Sequence, residues 1–129
     1  MDERGFANMT NILVVDDEFL VSDMLAFLLE DEGYTVERAF HGRMALEVIE
    51  RSPVELVITD FMMPLMTGLE LAQALKARTE HADLPIILVS GAQGSIARAH
   101  RELFAAVFDK PFRNDLLLAK VQELVGTAH

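Results

Sequence analysis

Short runs of apolar residues alternate along the chain with longer stretches in which apolar residues recur at helical spacing. The runs lie at 12–15, 56–58, 86–89 and 107–108, and a weaker one spans 35–39. Runs that are almost entirely apolar are typical of strands buried on both faces, which requires helices on both sides of a parallel sheet. The pattern therefore predicts an α/β domain with a five-stranded, doubly wound parallel sheet.

The stretches between the runs carry the helix signals. Leu20, Met24, Phe27 and Leu28 share one helical face, which we expect to pack on the sheet, and Gly33 follows as a C-terminal cap. Further helices are predicted from apolar positions 45, 46 and 49, from 69, 72 and 75, and from 117, 121 and 124. We expect the domain to span 11–126, with tails at 1–10 and 127–129.

Composition narrows the class of protein. The 129 residues fit one domain, and a hydrophobic fraction of 51% with 25% charged residues is typical of a globular protein. With 21 acidic and 11 basic residues the net charge is -10, which disfavours nucleic acid and anionic membranes and suits a divalent cation or a basic partner. The chain has no cysteine, no signal-peptide pattern and no apolar run near the roughly 20 residues of a membrane span. We therefore expect a cytoplasmic protein.

Polar residues stand where four of the predicted strands end. Asp16 and Asp17 follow the first strand, Asp60 the third, Ser90 the fourth and Lys110 the fifth. The carboxyl ends of parallel strands share one edge, so these groups should converge. Clustered carboxylates favour Mg²⁺, and an acidic site with open metal positions suits phosphoryl transfer to a carboxylate nucleophile. The lysine and the serine would then supply donors for the phosphoryl oxygens.

Four motifs carry a family resemblance, and they are Val14-Val15-Asp16-Asp17, Asp60-Phe61-Met62-Met63-Pro64-Leu65-Met66-Thr67-Gly68, Val89-Ser90 and Lys110-Pro111-Phe112. Together they resemble the response-regulator receiver domain of bacterial two-component signalling, over about residues 11–125. The resemblance implies a flavodoxin-like fold with strand order 2-1-3-4-5.

The resemblance also implies a role for each site residue. Asp60 would be the phosphoacceptor and, with Asp17 and the backbone carbonyl of Met62, a direct ligand of Mg²⁺. Asp16 would act on the ion through a water molecule. Ser90 and Lys110 would contact the phosphoryl group, and the Lys110-Pro111 bond would be cis.

Further expectations concern partners. The resemblance implies phosphorylation by a sensor histidine kinase or a histidine phosphotransfer protein, followed by a conformational signal to a downstream protein or by relay of the phosphoryl group. The domain would promote its own phosphorylation and dephosphorylation without a separate enzymatic output, as a monomer or weak dimer. Two alternatives stay open, namely a phosphorylation-independent interaction module and an aspartyl-phosphate phosphohydrolase. The second would need an acid two residues after the nucleophile, where Asp60 has Met62.

Several residues have simpler explanations, and others depart from the family pattern. Singly, the carboxylates after the first strand could be helix N-caps and the lysine a solvated side chain. Val107 stands where the family has an aromatic residue, which leaves Phe104 or Phe108 to take over part of its packing. Asp109 is a potential competitor for the neighbouring Lys110.

Two positions should tune the lifetime of the phosphorylated form. Met62 and Ala92 follow Asp60 and Ser90 by two residues, and neither side chain can hydrogen-bond to an attacking water. We therefore expect slow hydrolysis of the acyl phosphate.

Overall fold

Five parallel strands form one sheet in the computed structural model, which describes residues 10–91 and 94–127. The strands are β1 (Asn11–Val15), β2 (Thr35–Ala39), β3 (Leu56–Asp60), β4 (Ile86–Ser90) and β5 (Ala106–Asp109). Their order is β2-β1-β3-β4-β5, and each neighbouring pair is parallel. The predicted sheet and the strand order implied by the resemblance are both confirmed.

Helices follow each strand in turn. They are α1 (Phe19–Asp31), α2 (Gly42–Arg51), α3 (Gly68–Lys76), α4 (Gly94–Ala99) and α5 (Asn114–Val125), with 3₁₀ turns at Thr79–His81 and Arg101–Leu103. Gly33 follows α1 with φ 97°, a left-handed conformation in which glycine is favoured. Thr67 and Glu70 form a reciprocal capping box at the start of α3.

The sheet separates two apolar cores because side chains alternate along each strand. Leu13 and Val15 of β1 point into a core shared with α2, α3 and α4. Ile12 and Val14 point into the opposite core, shared with α1 and α5. The strands β3 and β4 are buried at every position. Burial on both faces explains why these strands read as continuous apolar runs.

The face of α1 that packs on the sheet differs from the predicted one. Leu20, Met24 and Phe27 are exposed, at 84%, 43% and 73%, and Leu28 is half-buried. The residues that α1 buries instead are Ser22, Leu25, Ala26 and Leu29. The prediction was wrong because α1 carries apolar residues on most of its circumference, so helical spacing does not select a face. Ser22 is tolerated inside because its hydroxyl accepts a hydrogen bond from Arg38 Nε at 2.9 Å.

The predicted tails at 1–10 and 127–129 lie largely outside the described residues, as does Ala92. Thr10 is buried, and its carbonyl accepts hydrogen bonds from the Thr35 amide at 2.9 Å and the Thr35 hydroxyl at 3.0 Å. Within the described part of the chain, no helix combines the length and the apolar character that crossing a bilayer requires.

Candidate functional site

The carboxyl edge of the sheet collects the predicted site residues from four adjacent strands. Asp60 is the last residue of β3, and Ser90 is the last residue of β4 beside it. Asp16 and Asp17 directly follow β1, and Lys110 directly follows β5. The strand order places β1, β3, β4 and β5 next to one another, so the convergence predicted from the sequence occurs.

Three carboxylates lie close together at this edge. Asp16, Asp17 and Asp60 each offer an oxygen atom within 4.8 Å of the others. Asp16 and Asp60 are buried, at 2% and 6% exposure, whereas Asp17 is exposed. Each buried carboxylate accepts one backbone hydrogen bond at 2.9 Å, Asp16 Oδ1 from the Glu18 amide and Asp60 Oδ1 from the Phe61 amide. These bonds fix the orientation of both groups.

Burial disfavours the charged form of these carboxylates. It raises the pKa of Asp16 from 3.8 to about 6, and the nearby Asp60 carboxylate adds to the rise, while the hydrogen bond from Glu18 opposes it. Burial also raises the pKa of Asp60, against the opposing effect of the Lys110 ammonium group. A bound cation would therefore stabilise the charged form of both carboxylates.

The cluster has the donor chemistry of a magnesium site. Its three side chains offer only oxygen atoms, the ligands that Mg²⁺ prefers, and part of the cluster is open to solvent through Asp17. The residues present therefore fit the ion. A second group, Glu50, Glu80 and His81, has similar spacing, but Glu50 is already paired with Arg78 and lies 3.4 Å from His81 Nε2. That group is a surface ion-pair network.

Lys110 points into the acidic cluster. Its Nζ lies 3.3 Å from Asp60 Oδ1 and 3.9 Å from Asp16 Oδ2. The peptide bond between Lys110 and Pro111 is cis, as the resemblance implied. The sequence made Asp109 a potential competitor for this lysine. Its carboxylate instead forms an ion pair with Arg98, with an N–O distance of 3.0 Å.

Glu18 is a charged neighbour of the site to which sequence reasoning assigned no role. Its Oε1 lies 3.9 Å from Lys110 Nζ, and its side chain is 64% exposed. Glu18 also occupies the N-cap position of α1 but makes no side-chain capping bond. The sequence signal that could have indicated its proximity to the site was its position directly after Asp16 and Asp17.

Ser90 is fully buried at the end of β4. Its Cα pairs with that of Asp109 across the sheet, and its carbonyl accepts a hydrogen bond from the Lys110 amide at 2.7 Å. The hydroxyl-bearing residue and the lysine are therefore joined through one backbone contact.

The loop after Asp60 requires a glycine at its far end. A Cβ atom on Gly68 would lie 2.4 Å from the carbonyl oxygen of Asp60. Leu65, 96% exposed, has φ 70°, and the Met66 amide donates to the Pro64 carbonyl at 2.8 Å, which makes a tight turn around Leu65. Met62 lies at the start of this loop and is 57% exposed.

Phe104 supplies the aromatic packing in the region where the family pattern is broken. It is buried, whereas Val107 on β5 is half-buried against the same core. A cavity of about 210 Å³ is lined by Arg98, Arg101, Phe104, Ala105, Ala106 and Val107. Phe108 lies on the other side of the sheet, with its ring 6.4 Å from that of Phe112. Phe104 therefore packs on the same side of the sheet as Val107, and Phe108 packs on the other.

Comparison with known proteins identifies related sequences. A family model described as the response regulator receiver domain matches residues 12–122. The regulatory protein VanR of Enterococcus faecium is 35% identical over 113 residues, which cover 86% of this chain and 48% of VanR. The chain spans about half the length of the curated relatives it matches.

Solved structures show the same fold. The response regulator receiver protein of Pseudomonas putida superposes with a TM-score of 0.84 and 29% identity, covering 89% of this chain and 97% of that one. The response regulator protein TrrA of Thermotoga maritima, solved in complex with Mg(2+)-BeF, superposes with a TM-score of 0.81 and 34% identity. That match covers 91% of this chain and 100% of TrrA.

Proposed function

The chain belongs to the family of response regulator receiver domains, whose function is to accept a phosphoryl group, and we propose that Asp60 is the acceptor. The observation that carries this proposal is the contact of Asp60 Oδ1 with Lys110 Nζ at 3.3 Å inside a cluster of three carboxylates. Neither Asp16 nor Asp17 is both buried and as close to the lysine: Asp16 lies 3.9 Å from Lys110 Nζ, and Asp17 is exposed.

In the proposed reaction, a carboxylate oxygen of Asp60 attacks the phosphorus atom of the donor. An acyl phosphate forms as the bond between phosphorus and the donor's leaving atom breaks. Lys110 holds the carboxylate before transfer and is within reach of the phosphoryl oxygens after it. The Ser90 hydroxyl would donate to another of these oxygens.

The three carboxylates would hold Mg²⁺ together with the backbone carbonyl of Met62, Asp16 acting through a water molecule. The ion supplies positive charge that offsets the charge of the phosphoryl oxygens. The neighbouring TrrA structure in complex with Mg(2+)-BeF supports this choice of metal. Burial of Asp16 and Asp60 supports it as well, because a buried carboxylate with a raised pKa is stabilised in its charged form by a cation.

The partners follow from the same reaction. The phosphoryl donor is a sensor histidine kinase or a histidine phosphotransfer protein, and the domain works in the cytoplasm as a monomer or weak dimer. Phosphorylated Asp60 either shifts the domain toward a second conformation that a downstream protein recognises or passes its phosphoryl group on in a relay. The domain itself needs no direct contact with nucleic acid or membrane.

The phosphorylated form should be long-lived. Met62 is exposed beside the acceptor and cannot orient an attacking water, and Ala92, outside the described residues, has the same limitation. The double variant Met62→Asn, Ala92→Glu should therefore shorten the acyl-phosphate half-life, measured by the decay of the phosphorylated mass. A half-life equal to that of the wild type would contradict this explanation.

One labelling experiment tests the acceptor. Incubation with acetyl phosphate and Mg²⁺ should add one phosphoryl group, detected as a mass shift, and chelation of the metal should prevent it. Asp60→Asn should abolish the shift, whereas Asp109→Asn, which changes an exposed carboxylate outside the cluster, should not. Undiminished labelling of Asp60→Asn would refute the assignment. A wild-type protein that stays unlabelled would favour a phosphorylation-independent interaction module, and turnover of generic phosphate esters would favour a phosphohydrolase.

A further inference from the structure

Glu18 places a negative charge at the entrance of the site. Its Oε1 lies 3.9 Å from Lys110 Nζ, which in turn lies 3.3 Å from Asp60 Oδ1. Glu18 Oε1 and Asp60 Oδ1 are therefore at most about 7 Å apart, because their direct distance cannot exceed the sum of the two contacts with Lys110 Nζ. The Glu18 carboxylate is thus within one Debye length, about 10 Å at 0.1 M salt, of the reacting atom.

The backbone holds Glu18 in this place. Its amide donates to Asp16 Oδ1 at 2.9 Å, and its carbonyl accepts a hydrogen bond from the Ser22 amide at 3.0 Å in the first turn of α1. The side chain remains 64% exposed and lies outside the group of three carboxylates that fits a metal. The backbone of Glu18 is therefore fixed next to the site, and its carboxylate is not one of the groups that assemble the cluster.

The balance of charge at the entrance is negative. Lys110 is the cation in contact with Asp16, Glu18 and Asp60, and Asp17 adds a further carboxylate close by. With all four acids ionised, one lysine and one divalent cation leave a net negative charge. A phosphoryl donor is itself an anion, so a carboxylate that is not neutralised at the rim opposes its entry.

We propose that Glu18 determines donor specificity by repelling small anionic phosphodonors from Asp60. A phosphohistidine carried by a protein meets the same repulsion, but the contacts of a docked protein surface offset it, whereas a small phosphorylated metabolite has no such compensation. Glu18 would thereby favour transfer from a protein partner over phosphorylation by free acyl phosphates. This inference rests on the proposed function of Asp60 as the acceptor.

The expected effect follows from the distance. With the donor's charge placed at the reacting oxygen, at the upper limit of about 7 Å from Glu18 and in a water-like medium, removal of the Glu18 charge should raise the rate about threefold for a monoanionic donor and roughly eightfold for a dianion. Screening at about 0.1 M salt reduces these factors to roughly 1.5-fold and threefold. In about 1 M salt, with a Debye length of about 3 Å, both gains should disappear.

The test compares Glu18→Gln with the wild type and with Glu30→Gln. Glu30 is exposed near the other end of α1, about 18 Å from Glu18 along the helix, so its variant has the same net charge without affecting the site. Each protein, with saturating Mg²⁺ at pH 7.5, is labelled with acetyl phosphate, a dianion, and with phosphoramidate, a monoanion. The apparent second-order rate constant is obtained from the growth of the phosphorylated mass at low and at high salt.

At about 0.1 M salt, Glu18→Gln should react about threefold faster than the wild type with acetyl phosphate and less than twofold faster with phosphoramidate. The gain should lie in the concentration of donor needed for half-maximal rate, and Glu30→Gln should match the wild type. Equal gains with both donors, a gain that persists in high salt, or rates like those of Glu30→Gln would overturn the inference. If the wild type is labelled on Asp60 and Glu18→Gln behaves identically, only this inference fails. If Asp60 is not labelled, the proposed function fails with it.

Discussion

Replacement of Asp16 by asparagine should stabilise the metal-free protein above pH 6. The carboxylate is 2% exposed, and burial raises its pKa from 3.8 to about 6. Asparagine removes the charge but keeps an oxygen that can accept the hydrogen bond from the Glu18 amide. The variant therefore loses the cost of ionising a buried group while the turn before α1 is retained.

The magnitude follows from the two pKa values. Each pKa unit corresponds to about 1.4 kcal/mol, so a rise of about two units costs the folded protein about 3 kcal/mol at high pH. This rise is already net of the attraction between Asp16 and Lys110 at 3.9 Å, so we expect a gain of about 1–3 kcal/mol in the free energy of unfolding. For a chain of this size that is a rise of several degrees in Tm.

The gain should depend on pH with a definite sign. Between the unfolded pKa of 3.8 and the folded value of about 6, the folded state binds more protons, so the wild-type free energy of unfolding falls as the pH rises. Well below pH 3.8, Asp16 is protonated in both states and the advantage of the variant disappears. Above pH 6 the variant has its full advantage in the free energy of unfolding.

Mg²⁺ should reduce or cancel the advantage of the variant. A ligand at a hundred times its Kd stabilises the folded protein by about 2.7 kcal/mol, and the variant lacks one carboxylate of the site. Urea denaturation between pH 4 and pH 8, with and without Mg²⁺, measures both effects, and Asp31→Asn at the exposed end of α1 is the control. The reasoning is refuted if Asp16→Asn destabilises the metal-free protein at pH 8, if its gain is independent of pH, or if Mg²⁺ stabilises both proteins equally.

Three further substitutions test local packing. Gly68→Ala should destabilise the domain by about 2 kcal/mol or more and slow labelling, because its Cβ would lie 2.4 Å from the carbonyl oxygen of Asp60. Its control, Gly91→Ala, meets no atom within 4 Å and should be neutral in thermal denaturation. Phe104→Ala should cost about 3–4 kcal/mol as a buried aromatic, and Phe27→Ala, at 73% exposure, less than about 0.5 kcal/mol by urea denaturation. Leu65→Asn should raise the free energy of unfolding by about 0.5–1 kcal/mol, because asparagine tolerates φ 70° better than leucine and the exposed leucine side chain buries almost no surface. A loss of stability would show that the turn is not strained.

The strands and the site residues could be predicted because burial on both faces leaves a strong signal in the sequence. Every residue of β3 and β4 is buried, so each strand reads as an apolar run that stops at Asp60 or Ser90. The parallel arrangement then requires these strand ends to share an edge. The convergence of Asp16, Asp17 and Lys110 on Asp60 followed from the same rule.

The orientation of α1 could not be predicted in the same way. Its sequence places Leu20, Met24 and Phe27 on one face and Leu25 and Leu29 on another, and both are apolar. The second face is buried in the core shared with the strands, while the first remains exposed. The choice depends on the total packing of the helix against the strands and not on its own periodicity.

Long-range pairs of charged side chains were equally hidden. Asp109 is adjacent to Lys110 in the chain, yet its carboxylate forms an ion pair with Arg98. The carboxylate of Glu18, which is distant in sequence, lies near the lysine. Neighbouring strands and helices bring such groups together, and the spacing of the residues along the chain does not specify which acid pairs with which base.

The succession of strands and helices, the parallel sheet and the chemical groups at its carboxyl edge could all be predicted from local patterns in the sequence, because strands buried on both faces leave apolar runs. Only the tertiary structure decided the distances within the site, the raised pKa of Asp16, the exposed face of α1 and the charge of Glu18 beside Lys110. These depend on how deeply each group is buried and on which elements lie next to one another. Both are properties of the packed domain, and neither belongs to a single segment of the chain.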